Sequence, residues 1–266
     1  MGAIGFARFG YTLLLPSMKD GLDLSYAETG LLATGNFVGY LVFSVVAGFL
    51  VTRVSPRLVI SGSMALAGAT MFLTGMAPGY LTALIARTLT GVGSAGSNVP
   101  TMGLASAWFA KKWRGTAAGL IVGGSGWALL FSGWLIPTLT AGRNPDGWRL
   151  GWYVLGGAVM LIALAALMVL RDRPEEKGLR AIGSDNGQAP EAGGGASRAD
   201  LGLVYKSKPL RQLAAVYFLF GFSYIIYTTF FSAYLVKEIG LADQEAGQAF
   251  AVVGLLSMVS GFIWGA

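Results

Sequence analysis

The 266-residue sequence contains no cysteine and no histidine, and only 12% of its residues are charged. Without cysteine there are no disulfides and no thiol chemistry, and without histidine the commonest metal ligand and the usual general base are missing. Soluble domains average about 25% charged residues, whereas 54% of this chain is hydrophobic and its mean hydropathy is +0.62. The composition excludes most soluble enzyme mechanisms and indicates a polytopic, all-α membrane protein.

The net charge of +6 does not indicate nucleic-acid binding, because the basic residues fall in short segments between apolar runs. A membrane helix needs about 20 mostly apolar residues. Eight segments approach that length, and the first is expected to end at a turn formed by residues 16–19. The predicted spans are 1–16, 27–51, 58–77, 80–108, 116–139, 150–170, 211–236 and 246–266.

A polar segment rich in glycine separates six of these spans from the other two. It predicts a flexible linker over residues 171–210, between a six-helix half (1–170) and the first two helices of a second half (211–266). Of the 19 Lys and Arg residues, 13 fall in this linker, directly after it at Arg211, or in the loops 53–57 and 111–114. Because positively charged loops remain in the cytoplasm, we expect the linker to be cytoplasmic.

An internal repeat relates the two halves. Residues 5–12 share a Gly-Phe-x-x-x-x-Tyr-Thr pattern with residues 221–228, and Glu28 and Gly30 recur as Glu245 and Gly247. Parallel repeats of six spans are typical of a large transporter class whose substrate site lies between the halves near the bilayer midplane. The sequence therefore predicts a second half that stops after two spans, with roughly four more expected.

Two arginines, Arg8 and Arg87, lie within predicted spans, whereas all 13 acidic residues lie in loops, in the linker or at span edges. An arginine in hydrocarbon costs at least a few kcal/mol, so it indicates a functional site with a partner. Glu28 is the acid nearest to a span interior and is expected to reach water. The partner of Arg8 is therefore not an intramembrane acid of this sequence.

Residues 48–57 read Gly-Phe-Leu-Val-Thr-Arg-Val-Ser-Pro-Arg, and with them the whole chain resembles the major facilitator superfamily. The resemblance implies that the loop after span two is a cytoplasmic gating latch, matched here by Gly48, Arg53 and Arg57. Thr52 stands where the family has Asp, and Ser55 where it has Gly. We therefore expect the two arginines to be kept without the acidic partner, or to serve only as cytoplasmic anchors.

The fourth span contains Arg87, Gly91 and Gly93 at the spacing of a second motif of this family. The Gly-x-Gly-x-x-Gly that begins at Gly91 is not a dinucleotide site, because it has no preceding strand. Helical spacing places Arg87, Gly91 and Asn98 on one face, which suits a cavity. The alternative is an arginine satisfied by backbone carbonyls at a helix interface or by the lipid headgroups.

In the fifth span, glycines at 119, 123, 126 and 133 predict close helix packing.

Residues 5–18 look most like the bacterial YbfB/YjiJ group, with some likeness to monocarboxylate and oxalate/formate carriers. Two intramembrane cations without an intramembrane acid predict a small organic carboxylate as substrate, since guanidinium donates two parallel hydrogen bonds to a carboxylate. Tyr224 and Tyr227 occupy the repeat positions of Arg8 and Tyr11. The predicted substrate-binding residues are Arg8, Tyr11, Asn36, Tyr40, Arg87, Asn98, Tyr224 and Tyr227, although each tyrosine could instead serve in packing.

The predicted function is secondary transport of this anion by alternating access, with a facilitative uniporter or a non-transporting sensor as alternatives. The resemblance implies a monomer in the bacterial plasma (inner) membrane, in contact with the lipid bilayer. We expect no cofactor, no metal and no nucleic-acid partner. A membrane-embedded enzyme is not expected, because such enzymes cluster His, Asp or Glu at a membrane edge and this sequence does not.

Overall fold

The computed structural model describes residues 2–140, 146–183 and 207–265, and these residues form eight long helices. The helices are α1 (Gly2–Gly21), α2 (Tyr26–Leu50), α3 (Pro56–Gly75), α4 (Tyr80–Trp108), α5 (Arg114–Thr140), α6 (Gly147–Val169), α7 (Lys208–Lys237) and α8 (Asp243–Gly265). Short 3-10 turns cover Lys111–Trp113 and Pro174–Lys177. The all-α prediction is confirmed.

Five of the eight helices are long and apolar enough to cross a membrane, namely α2, α3, α5 together with the turn before it, α6 and α7. The remaining three helices, α1, α4 and α8, contain more charged, polar or small residues, which lower their mean hydropathy. Charged residues lie in α1 (Arg8, Lys19), serine, threonine and glycine in α4, and two acids in the first turn of α8.

The predicted turn at residues 16–19 is wrong, because α1 continues through Pro16 to Gly21. Proline removes one backbone hydrogen bond of a helix, and membrane helices tolerate it where neighbouring helices cover the freed carbonyl. Helix α1 has such cover, since most of its side chains from Ala3 to Met18 are buried. The helix therefore lies at the centre of the bundle and not at its edge.

The six helices of the first half pack as a connected bundle. Extensive contacts join α2 to α4, α4 to α3 and α3 to α6, while α1 packs against α5 and α6. Of the second half, α7 packs against α1, and α8 packs along α5 in the most extensive contact of all. The two halves therefore meet along the α1–α7 and α5–α8 contacts.

The glycines of α5 make the α5–α8 contact possible. A Cβ on Gly126 would lie 2.6 Å from the carbonyl oxygen of Gly254, and a Cβ on Gly133 would lie 2.6 Å from that of Gly247. Small residues allow helix backbones to approach this closely. Gly126 and Gly133 therefore serve helix packing, as their spacing predicted, and the helix they pack against belongs to the second half.

Equivalent positions of the repeat have equivalent local structure. Helix α2 begins with a capping box in which the Glu28 carboxylate accepts the Ser25 amide at 2.8 Å, and Glu245 accepts the Ala242 amide at 3.0 Å before α8. Such pairs satisfy backbone donors that the first helical turn leaves free. Glu28 is thus an exposed helix cap, which agrees with the expectation that it reaches water.

The halves are also joined at the helix ends opposite the loops 51–55 and 109–113. Lys237 at the end of α7 forms an ion pair with Asp20 of α1, with 2.8 Å between Nζ and Oδ2. Helix α7 starts at Lys208, three residues before the predicted start of the second half at residue 211. The glycine-rich part of that linker, residues 184–206, lies outside the described residues.

Candidate functional site

A small recess lies where α1, α2, α4 and α7 meet. Helix α1 contributes Arg8, Phe9 and Thr12, helix α2 contributes Ala33, Asn36 and Phe37, helix α4 contributes Arg87, and helix α7 contributes Thr228 and Thr229. Both halves of the repeat therefore line it. Three of the predicted residues, Arg8, Asn36 and Arg87, are among these lining residues.

The Arg8 guanidinium lies in this recess among aromatic rings. Its Cζ is 4.7 Å from the ring centroid of Phe37, 5.7 Å from that of Tyr224 and 5.8 Å from that of Phe9. Its Nε is buried without a hydrogen-bond partner, and no carboxylate in the described ranges forms an ion pair with it. A buried polar group without a partner requires an explanation, and a bound ion is one of the usual ones.

The repeat brings equivalent residues into contact beside Arg8. Thr12 Oγ1 of α1 donates a hydrogen bond of 2.6 Å to the carbonyl oxygen of Thr228, its repeat equivalent on α7. Arg8 and Tyr224, one turn away, are also equivalent and are also in contact. The recess thus lies at the point where the first helices of the two halves cross, so an anion at Arg8 would touch both halves.

Arg87 is only 1% exposed, and it is held by the protein itself. Its Nη1 donates to the carbonyl oxygen of Ala7 at 2.8 Å, and its Cζ lies 4.7 Å from the ring of Tyr11 and 5.0 Å from that of Trp152. This geometry corresponds to the alternative in which a backbone carbonyl at a helix interface binds the arginine, although Nε of Arg87, like that of Arg8, is buried without a hydrogen-bond partner. Arg87 forms the floor of the recess and ties α4 to α1.

Tyr11 does not line the recess, contrary to the prediction. It is 2% exposed, its hydroxyl donates to the carbonyl oxygen of Thr29 at 2.6 Å, and its ring stacks on Trp152. The tyrosine lies one turn beyond Arg8 on α1, but α2 and α6 cover that part of the helix. Its packing alternative is therefore the one that the structure favours.

Asn36, Tyr40 and Asn98 connect α2 to α4. Asn36 Nδ2 donates to the carbonyl oxygen of Arg87 at 2.9 Å, and Asn98 Nδ2 donates to the Tyr40 hydroxyl. Asn36 reaches the recess, whereas Tyr40 and Asn98 are not among its lining residues. The predicted polar groups are thus adjacent, but most of them hold helices together.

Tyr227 does not line the recess either. It is 55% exposed, and its ring packs against Phe231 of the same helix at 4.9 Å. Tyr224 and Tyr227 are three residues apart, so their side chains leave the helix about 60° apart. Of these two tyrosines, only Tyr224 therefore faces α1.

Phe37 and Thr229 line the recess without having been predicted. Their only sequence signals are adjacency to Asn36 and to the repeat residue Thr228.

The fourth-span glycines are packing residues. A Cβ on Gly91 would lie 2.8 Å from the carbonyl carbon of Asn36, and one on Gly93 would lie 2.6 Å from the carbonyl oxygen of Ser63. Both glycines let α4 approach a neighbouring backbone, α2 at Gly91 and α3 at Gly93. The close approach at Gly91 brings the part of α4 that carries Arg87 next to α2.

The predicted gating loop joins α2 to α3. A Cβ on Gly48 would meet no atom within 4 Å. Thr52 Oγ1 donates to the carbonyl oxygen of Phe49, and the Arg53 Cζ lies 4.8 Å from the Phe49 ring centroid. Arg57 instead reaches another helix, because its Nε donates to the carbonyl oxygen of Leu167 near the end of α6 at 2.7 Å. Arg57 is therefore more than a surface anchor.

An acid from another segment contacts this loop through the backbone, without an ion pair to Arg53 or Arg57 among the described residues. Asp172, just after α6, accepts the backbone amide of Arg57 at 2.7 Å, at the start of α3. Farther along, Ile182 exchanges backbone hydrogen bonds with Trp108 and Ala110 in the α4–α5 connection. Residues 171–183, predicted as part of a flexible linker, thus pack on the ends of the helices.

Replacing Asp172 with alanine is expected to destabilise the protein by about 1 kcal/mol, because a carboxylate at a helix N-terminus satisfies free amides and interacts favourably with the helix dipole. Thermal unfolding in detergent measures the change. Glu175→Ala, which removes an exposed acid from the same segment, is the control and should have no effect. Equal melting temperatures for both variants would contradict this role of Asp172.

In the described ranges, no group of three or more His, Cys, Asp or Glu side chains is arranged to hold a metal ion. The positively charged side chains that line the recess are Arg8 and Arg87. The recess offers guanidinium N–H donors surrounded by aromatic rings and threonine hydroxyls. Such a site suits a small anion with further hydrogen-bonding groups.

Known proteins resemble the chain over two thirds of its length or more. The hexuronate transporter of Bacillus subtilis (strain 168) is 21% identical over 258 residues, which are 96% of this chain and 58% of that protein. A putative tartrate transporter of Agrobacterium vitis is 25% identical over 270 residues, covering 98% of this chain and 58% of that protein. The membrane sensor protein UhpC of Escherichia coli (strain K12) is 25% identical over 185 residues, 67% of this chain and 40% of that protein.

Among solved structures, a bacterial homologue of the human lysosomal transporter Spinster, inward-facing and unoccupied, has the same fold. Its TM-score is 0.68 at 21% identity, and the match covers 98% of this chain and 58% of that one. The chain thus spans a little over half the length of the first relatives it matches. The family model of the Major Facilitator Superfamily matches residues 1–266, and the chain belongs to that superfamily.

Proposed function

We propose that the full-length protein is a secondary transporter of a small organic anion, which binds at Arg8 between the two halves. The observation that carries this proposal is the Arg8 side chain where α1 and α7 cross, because its Nε is buried without a hydrogen-bond partner and no acid of the described residues pairs with it. Leaving a charge unpaired in a low-dielectric site costs several kcal/mol. An anionic substrate would remove that cost on binding.

A carboxylate fits this site well, because its two oxygens accept the two parallel N–H donors of a guanidinium. The relatives named for hexuronate and tartrate support this class, since both of those solutes are carboxylates that also carry hydroxyl groups. Asn36 and Thr229 line the recess with Arg8, and the ring of Tyr224, which is not a lining residue, lies 5.7 Å from the Arg8 Cζ. In this proposal Arg8 binds the carboxylate and these three residues bind the rest of the solute.

The remaining predicted residues support the site without contacting the substrate. Arg87 forms the buried floor, Tyr11 packs against the Arg87 guanidinium, and Tyr40 with Asn98 joins α2 to α4. The loop 48–57 and Asp172 would form the latch at the end of the bundle. We further propose a monomer in the bacterial inner membrane with the linker 171–210 in the cytoplasm, as the distribution of basic residues favours.

Coupling to protons needs a titratable group, and Glu28 is an exposed helix cap. The substrate's own proton, or a carboxylate from additional spans, could serve instead. A uniporter needs neither. Uptake measured with and without an imposed pH gradient distinguishes the two mechanisms, because only a coupled carrier accumulates solute in response to the gradient.

A second candidate function is sensing of the same solute without transport. The similarity to a protein named as a membrane sensor favours this alternative specifically. A sensor would bind an anion at Arg8 through the same contacts. It would differ from a transporter in showing no exchange of internal for external solute.

Counterflow in proteoliposomes tests the proposal with the full-length protein. Vesicles are loaded with unlabelled D-glucuronate or tartrate, and entry of the same radiolabelled solute is followed, with protein-free vesicles as the control. A transporter gives transient, saturable accumulation of at least one anion. Binding without counterflow would support the sensor, and an absence of both would overturn the anion site.

A further inference from the structure

Three aromatic rings from three helices surround the guanidinium of Arg8. Phe9 is its neighbour on α1, Tyr224 belongs to α7, and Phe37 of α2 is the nearest, with 4.7 Å between Cζ and the ring centroid. A ring attracts a cation through its negatively charged face and does not consume the N–H donors at the edge of the guanidinium. Arg8 is therefore held mainly by contacts that leave its donors free.

The backbone that carries Phe37 is firmly placed. Its neighbour Asn36 donates to the carbonyl oxygen of Arg87, and Gly91 of α4 lies directly against the Asn36 carbonyl. Helices α2 and α4 have one of the most extensive contacts in the bundle. The Phe37 ring thus projects toward Arg8 from a rigid part of the structure, whereas the arginine side chain itself has several rotatable bonds.

We propose that Phe37 is a positioning residue for substrate binding, which holds the Arg8 guanidinium so that its N–H edge faces the recess. This inference rests on the proposed function, in which Arg8 binds the carboxylate. Without the ring, Arg8 would sample other rotamers, and the substrate would have to select the competent one. The apparent affinity falls by the fraction of time that the competent arrangement is populated.

The alternative role of Phe37 is packing, since it also contacts the hydrophobic core. The two roles predict different kinetics. A packing defect lowers stability and the amount of active protein, which reduces Vmax, whereas a misplaced Arg8 raises KM for the anion. An aromatic replacement separates them further, because tryptophan restores the attraction to the cation although it fits the space differently.

The test compares Phe37→Leu and Phe37→Trp in the full-length protein, with D-glucuronate and tartrate as probes in the counterflow assay. We expect Phe37→Leu to raise KM about tenfold with little change in Vmax, and Phe37→Trp to remain within about threefold of wild type. The matched control is Phe72→Leu, which removes a half-buried phenylalanine packed on Tyr153 and not on a cation. Its KM should not change.

The outcomes distinguish this inference from the function on which it rests. If Arg8→Ala abolishes binding but Phe37→Leu leaves KM unchanged, or lowers Vmax without rescue by tryptophan, the positioning role is overturned and the anion site stands. If the wild-type protein neither binds nor transports the probes, both are overturned. A raised KM that tryptophan restores supports both.

Discussion

Replacing Arg8 with alanine is expected to abolish saturable uptake of carboxylates by the full-length protein. No acid of the described residues pairs with this guanidinium, and removing one partner of a buried charge pair costs about 2–5 kcal/mol, or at least about thirtyfold in affinity. Initial rates of radiolabelled D-glucuronate and tartrate uptake into proteoliposomes measure the loss. Arg8→Lys should keep part of the affinity, because it retains the charge without the fork that matches a carboxylate.

The control for this experiment is Arg173→Ala, which removes an exposed arginine just after α6. It changes the net charge equally but leaves the recess intact, so uptake should remain near the wild-type rate. Transport that survives in Arg8→Ala at unchanged KM would contradict the role of Arg8. An equal loss in both variants would point to a general effect of charge and not to a site.

The sequence predicts three of the residues that line the recess, Arg8, Asn36 and Arg87, because the relevant signals are local. An arginine in an apolar segment and a repeat of its flanking residues are both visible without a fold. Parallel repeats imply that equivalent helices meet, and the structure shows Thr12 on Thr228 and Arg8 beside Tyr224. The spans were also predictable, since their lengths follow from the thickness of a bilayer.

The sequence did not show which of the two intramembrane arginines would be hydrogen-bonded to a neighbouring helix. Arg8 and Arg87 have the same chemistry in similar segments, yet Arg87 is bonded to Ala7 and enclosed by the rings of Tyr11 and Trp152. Which carbonyls and rings surround a side chain depends on the crossing of distant helices. Asp172 illustrates the same limit, because it caps α3 from 115 residues away in sequence.

Replacing Gly91 with alanine is the other change for which we expect a large effect. In an isolated helix the substitution would stabilise by about 1 kcal/mol. Here the new methyl group would overlap the Asn36 carbonyl oxygen and lie 3.0 Å from the Tyr40 amide nitrogen, and a backbone cannot move aside as a flexible side chain can. Overpacking typically costs about 1–3 kcal/mol, so the helix gain is offset and α2 is pushed away from α4.

The separation of α2 from α4 affects the site as well as stability, because Asn36 and Phe37 lie at the displaced contact. We expect Gly91→Ala to lower the melting temperature in detergent and to raise KM for the anion. Gly103→Ala on the same helix, where a Cβ meets open space, is the control and should be neutral or stabilising. If Gly91→Ala melts at or above the wild-type temperature with unchanged KM, the close approach of α2 and α4 does not determine the geometry around Arg8.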